Sequence, residues 1–190
     1  TLNRCELLGA HLEGPFLSKK RNGAHPIEFL KLPSLEGLYE LINGFEDEIS
    51  LMTLAPELSG SLEVIKELRK IGIVASLGHS QADAKTTAGS FDQGITMLTH
   101  VFNAMPGLHH RAPGPIGEAI NNKDVFLSFI ADGVHLHPTV LKLLQKLASE
   151  NLVLISDALP VYGLKDKTFN WGGRTVRVHK GTCRMNDGTL

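Results

Sequence analysis

Glu13, His79, His100 and Asp157 are the residues whose types and settings suit chemistry. Each stands just past an apolar run, in the contexts His11-Leu12-Glu13-Gly14-Pro15, Gly78-His79-Ser80, Thr99-His100-Val101 and Ser156-Asp157-Ala158. A carboxylate and two imidazoles supply oxygen and nitrogen donors for a divalent ion such as zinc, and they leave a fourth position for water. An ion so held makes hydroxide available near neutral pH and polarises a carbonyl. Asp157, on a different strand, is placed to accept the water's proton and pass it to a leaving nitrogen.

Taken singly, each residue has a structural alternative. A histidine after a strand is commonly a hydrogen-bonded loop residue. Glu13 before Gly-Pro could be a turn residue, and Asp157 before Ala-Leu-Pro could cap a short helix. What sets these four apart is their recurrence at successive strand ends. His109-His110-Arg111 forms a basic spot in a Pro- and Gly-rich loop, suited to a solvated turn or to clamping an anion. His11 reads as structural, His137 and His179 as surface residues, and the four methionines as packing or loop residues.

The elements that must position these groups follow from the apolar pattern. Strand-length runs recur at 7–12, 49–55, 71–77, 95–101, 125–131 and 152–155, as buried parallel strands require. Helical spacing fills the gaps at 35–42, 62–68, 81–91 and 139–147. Ser80 is the expected N-cap of the third helix, and Pro138 suits the first turn of the last. Alternating strands and helices specify an α/β fold. Because polar residues follow nearly every strand, instead of gathering at one switch point, the pattern predicts a partial (β/α)8 TIM-type barrel with about six of its eight strands, spanning 1–167. From residue 168 the rhythm changes. Thr175–His179 and Thr182–Met185, separated by Lys180-Gly181, predict a C-terminal β-hairpin segment over 168–190.

Composition narrows the partners. Of 190 residues 42% are hydrophobic, enough for one buried core, and 19 Lys and Arg against 20 Asp and Glu form no block of one sign. Neither a nucleic acid nor a membrane is therefore the expected partner; a small polar molecule is. Cys5 and Cys183 lack CxxC spacing and no signal-peptide pattern opens the chain, so a cytoplasmic setting is expected. Both ends read as positions inside a larger protein.

The motifs together resemble the N-acetylglucosamine-6-phosphate deacetylases of the amidohydrolase superfamily. They are HLEGPF from His11, GAHP from Gly23, TLAPE from Thr53, SLGHS from Ser76, THVFNAM from Thr99, HHRAPG from His109, IADGVHLHP from Ile130 and SDALP from Ser156. The resemblance implies metal ligation by Glu13, His79 and His100, with zinc expected, iron the alternative, and one or two ions left open. It implies Asp157 as catalytic acid/base and His25 at the reacting acetyl centre. It further implies substrate contacts from Ala24, His25, Asn103, Ala104, Arg111 and His135, and a homodimer in which Arg111 belongs to an intersubunit part of the pocket. The expected reaction removes acetate from N-acetylglucosamine 6-phosphate. Alternatives are another amidohydrolase, acting on a cyclic amide or a different N-acetyl sugar, and an inactive sugar-phosphate-binding module.

Overall fold

The computed structural model describes residues 5–171 and 173–190. Six parallel strands form one curled sheet in strict chain order: β1 (Ala10–Glu13), β2 (Ile49–Leu54), β3 (Val74–Leu77), β4 (Ile95–Leu98), β5 (Phe126–Ile130) and β6 (Leu152–Ile155). Sequential order without a reversal is the topology of a barrel wall, and it brings all six carboxyl ends to one rim. The expected partial barrel is thus observed. The strands are shorter than the apolar runs because pairing decides them. Leu7 and Leu8 lie outside β1, 92% and 76% exposed, since the β1–β2 ladder begins only at Ala10 opposite Ile49.

The connecting helices are α1 (Leu35–Ile42), α2 (Ser61–Lys70), α3 (Ala84–Gln93), α4 (Gly114–Ile120) and α5 (Pro138–Ala148). Ser34 Oγ accepts from the Gly37 N–H at the start of α1, and Pro138 opens α5 as the sequence predicts. Two expectations change. The cap of α3 is Asp83, which accepts from the Thr86 N–H at 2.7 Å; Ser80 instead accepts from Ala82 and donates to Glu57. The short α4 has no periodic signal, because four of its seven residues are Gly, Pro, Gly and Ala.

Leu38, Ile42, Val64, Ile65, Leu68 and Ile116 on the helices are buried with Met52, Leu54, Leu77, Leu98 and Leu127 on the strands in a single core. Each such side chain contributes about 1.5–3 kcal/mol by leaving water, so the rim that carries the polar groups rests on a rigid base.

The C-terminal segment is a three-stranded antiparallel sheet, β7 (Lys167–Trp171), β8 (Arg174–His179) and β9 (Thr182–Met185). The expected hairpin is β8–β9, joined at Lys180-Gly181. The sequence reading missed β7, which pairs with β8 and whose polar Lys-Thr-Phe-Asn composition offers little strand periodicity.

Candidate active site

The rim of β1 to β6 is marked by backbone strain. His79, His100, Phe102, Ala104 and Asp157 all have positive φ without being glycine. That conformation costs on the order of 1–3 kcal/mol at each residue and persists where surrounding structure enforces it, typically at functional sites.

Three donors converge above the sheet. Glu13 Oε1 lies 3.2 Å from His79 Nε2 and 2.9 Å from His100 Nε2, and the two ring nitrogens are 3.0 Å apart. Tetrahedral coordination with bonds of about 2.0–2.1 Å sets donors about 3.3 Å apart, so this triangle matches one face of such a site. His25 approaches from the other side, with Nε2 3.1 Å from Glu13 Oε2. Glu13, His25 and His79 therefore form a second, overlapping group whose donor atoms lie within 4.8 Å of one another. The first group fits an ion better, because both imidazoles face the same carboxylate oxygen.

The protons support that choice. His79 Nδ1 donates to the main-chain oxygen of Arg21 at 2.7 Å, which directs the other ring nitrogen, Nε2, at the Glu13 carboxylate. A second hydrogen bond at the far ring nitrogen, fixing the orientation of the imidazole, is the usual support of a metal-bound histidine. The backbone N–H of His100 donates to Ser128 Oγ at 2.8 Å, while the buried His100 Nδ1 has no partner among the described residues, so among them the ring is engaged through Nε2. Burial pushes the Glu13 carboxyl up, but the hydrogen bonds of His100, His25 and His79 outweigh it and hold the group far below the usual carboxylate range. An obligate anion facing two imidazole nitrogens is a donor set that fits a divalent ion.

A cleft of 870 Å³ opens over these donors. Ala24, His25, Asn103, Ala104, His135 and Asp157 all line it. His135 Nδ1 donates to Asp132 Oδ2 at 2.7 Å, so its neutral form offers Nε2 as an acceptor. Asn103 Nδ2 donates to the carbonyl oxygens of His100 and Val101 and braces the turn that carries His100. Arg111 is not brought in: it is exposed on the loop bridged at His109 and Ala112 and does not line the cleft of its own chain.

Sequence reasoning missed two supports. The Arg21 carbonyl that orients His79 is backbone, which no side-chain motif reveals. Arg174 donates to the Ala24 carbonyl from far along the chain. His11, read as structural, donates to or accepts from Thr53 Oγ1 at 2.7 Å inside the sheet's polar layer. Cys5 and Cys183 are unpaired, and among the described residues no helix is long and apolar enough to cross a membrane.

No protein-family model matches the chain. Curated relatives do. The N-acetylglucosamine-6-phosphate deacetylase of Bacillus subtilis (strain 168) is 41% identical over 98% of this chain and 47% of its own length. The N-acetylgalactosamine-6-phosphate deacetylase of Escherichia coli O157:H7 is 37% identical over 98% of this chain and 49% of its own. Among solved structures, an aspartate-to-alanine variant of the Mycobacterium smegmatis N-acetyl-D-glucosamine-6-phosphate deacetylase, in complex with N-acetyl-D-glucosamine-6-phosphate, superposes with a TM-score of 0.90 at 34% identity. The match covers 94% of this chain and 47% of that one. The chain thus spans about half the length of the curated relatives it matches. Sequence and fold together make it a homologue, over nearly all its residues, of about half of an N-acetylglucosamine-6-phosphate deacetylase.

Proposed function

We propose that the protein hydrolyses the acetamide of N-acetylglucosamine 6-phosphate, releasing acetate and glucosamine 6-phosphate. The observation that carries this reading is the Glu13, His79 and His100 donor triangle at the floor of a cleft also lined by His25 and Asp157. Those three residues would hold the divalent ion, zinc or iron. When bound, the ion supplies Lewis acidity, making water easier to deprotonate and the acetyl carbonyl more electrophilic.

The chain's own groups account for the remaining steps. Asp157 takes the proton of the attacking water and returns it to the amide nitrogen as the C–N bond breaks. The His25 Nε2–H, which rests on Glu13 Oε2 at 3.1 Å, turns from that carboxylate to the carbonyl oxygen as charge develops there. Asn103, the Ala24 and Ala104 main chain, and His135 orient the sugar phosphate. Arg111, outside the cleft of its own chain, serves the phosphate bound to a second copy in a homodimer. We further take 1–167 as the catalytic barrel unit and 168–190 as a separate sheet unit, and a cytoplasmic setting as the one that suits two unpaired cysteines.

The relative acting on N-acetylgalactosamine 6-phosphate supports a second reading, in which the C4 epimer is the substrate. Acetate release from each phosphorylated epimer, and from each unphosphorylated sugar, tests both. Turnover of phosphorylated N-acetylglucosamine at least about tenfold above its epimer is expected, since inverting C4 moves the hydroxyl away from the groups that hydrogen-bond it and leaves them unpaired. The reverse preference selects the second reading, and no acetate from any of the four sugars removes both.

A further inference from the structure

We propose that a hydrogen-bonded chain of side chains, Ser76–Thr99–Thr53–His11, buried as far as Thr53 and ending at the exposed His11, is a positioning device that sets the spacing of Glu13, His79 and His100; the inference rests on the metal reading above. Thr99 Oγ1 lies 2.6 Å from both Ser76 Oγ and Thr53 Oγ1, and Thr53 Oγ1 lies 2.7 Å from His11 Nε2. Thr53 and Ser76 are fully buried and Thr99 is 2% exposed. One continuous hydrogen-bonded run thus links β1, β2, β3 and the residue that follows β4, and the ends of β1, β3 and β4 carry the three donors.

Each member is tied closely to a donor. His11 stands two residues before Glu13 on β1, and the same face repeats every second residue. Thr53 is the register partner of Glu13, and its carbonyl accepts from the Gly14 N–H at 3.1 Å. Thr99 immediately precedes His100 and donates its N–H to Leu77. Ser76 lies on β3, three residues before His79. Gly78 makes the closure possible: a Cβ there would stand 2.7 Å from Thr53 Cγ2 and 2.9 Å from Thr99 Cβ, so any side chain would push the two threonines apart.

The proton count gives the run a direction. Ser76 Oγ has no acceptor other than Thr99 among the described residues. If the chain ran from His11 toward Ser76, the serine hydrogen would be left buried and unused, a cost of about 1–3 kcal/mol. Running from Ser76 through Thr99 and Thr53 to His11 Nε2, every hydroxyl donates once and accepts or ends the chain. His11 is then the acceptor, in its Nδ1–H tautomer. Such a run fixes inter-strand distances more sharply than apolar packing, which tolerates sliding. A plain core layer has no such requirement, and there replacing the hydroxyls by methyls of similar shape is close to neutral.

The test is ion affinity, measured by competition with a chromogenic chelator for Zn²⁺, alongside the visible absorption of the Co²⁺-loaded protein. Thr99→Val keeps the shape but removes the central hydroxyl. It should weaken Zn²⁺ binding by about tenfold or more, in the range known for outer supports of metal ligands, and alter the Co²⁺ bands. Thr99→Ser keeps the hydroxyl and should stay within about threefold of the parent. Should Thr99→Val fail to fold, Ser76→Ala at the end of the run reads the same property with a smaller loss. Parent-like Zn²⁺ affinity and Co²⁺ spectra in the folded Val or Ala variant overturn the inference, as does a Ser variant as weak as Val. A parent that binds neither ion overturns the metal reading as well, which tells the two failures apart.

Discussion

Arg174 Nη1 donates to the carbonyl oxygen of Ala24 at 3.0 Å, joining β8 to the loop that presents His25 across 150 positions of chain. The same loop is closed locally by Asn22 Nδ2, which donates to the His25 carbonyl at 2.8 Å. A small sheet outside the barrel rhythm therefore holds the backbone beside a group assigned to the reacting centre, and Cys183 and Met185 of β9 complete that wall of the cleft.

Arg174→Ala should loosen this loop without unfolding the sheet. A charge-assisted bond to a carbonyl is worth about 1.5–3 kcal/mol, so kcat/KM for acetate release should fall by roughly tenfold or more. Amide exchange over 22–26 should quicken, and ion content should stay unchanged. Equal exchange rates in variant and parent would show that the bond does not order the loop.

Asp157→Asn isolates proton transfer. Asparagine tolerates positive φ better than most residues, so the strained backbone at φ 48° is preserved while the group can no longer take a proton. The expected result is a kcat lowered by about a hundredfold or more with KM and ion affinity nearly unchanged. Near-normal turnover withdraws the acid/base role.

Arg111→Ala should raise KM for the phosphorylated sugar by about tenfold, and far less for the sugar lacking phosphate. The intersubunit assignment has its own test. Arg111→Ala mixed and reassembled with Asp157→Asn should recover about a quarter of parental sites, because half the dimers are mixed and each of those has one intact site. No recovery on mixing places Arg111 in its own subunit's function or in none.

Ion uptake should weaken in acid. In the ion-free protein burial pushes the His100 imidazolium down, but the hydrogen bond and charge of Glu13 and the charge of Asp157 prevail and raise its pKa. An ion must displace that proton, so Zn²⁺ affinity should fall by up to about tenfold per pH unit once the pH drops below the raised value. For the stability of the ion-free protein the sign is opposite. The contribution of charged His100 is fully present below the ordinary imidazole value of about 6.5 and is lost as pH rises through the raised one. Calorimetric Zn²⁺ titrations at pH 8, 7 and 6 measure the first effect, and an affinity flat across that range takes His100 out of the ligand set.

The two outer strands predict behaviour in solution. Among the described residues β1 and β6 each pair on one side only, and Leu154 on β6 is 68% exposed. Unpaired parallel edges with apolar side chains associate with one another, so the 190-residue chain alone should sediment as oligomers at micromolar concentration. A monodisperse monomer with a cooperative melt would contradict this.

Much of the fold was legible in the sequence because buried parallel strands are apolar on both faces and the helices between them on one. The runs before Glu13, His79, His100 and Asp157 therefore announced strand ends, and Leu35–Ile42 and Leu152–Ile155 match the structure residue for residue. Strand bounds elsewhere were overextended, since hydrophobicity says what is buried but pairing says where a ladder starts, as at Ala10. Residue types also disclosed a carboxylate and imidazoles suited to an ion. They did not disclose that Glu13 Oε1 faces both ring nitrogens while Oε2 faces His25, that a backbone carbonyl of Arg21 sets the tautomer of His79, or that Arg174 reaches Ala24. Periodicity along a chain records only which way each side chain faces locally. Distances between groups dozens of residues apart depend on the curl and register of the sheet, and those exist only once the strands have paired.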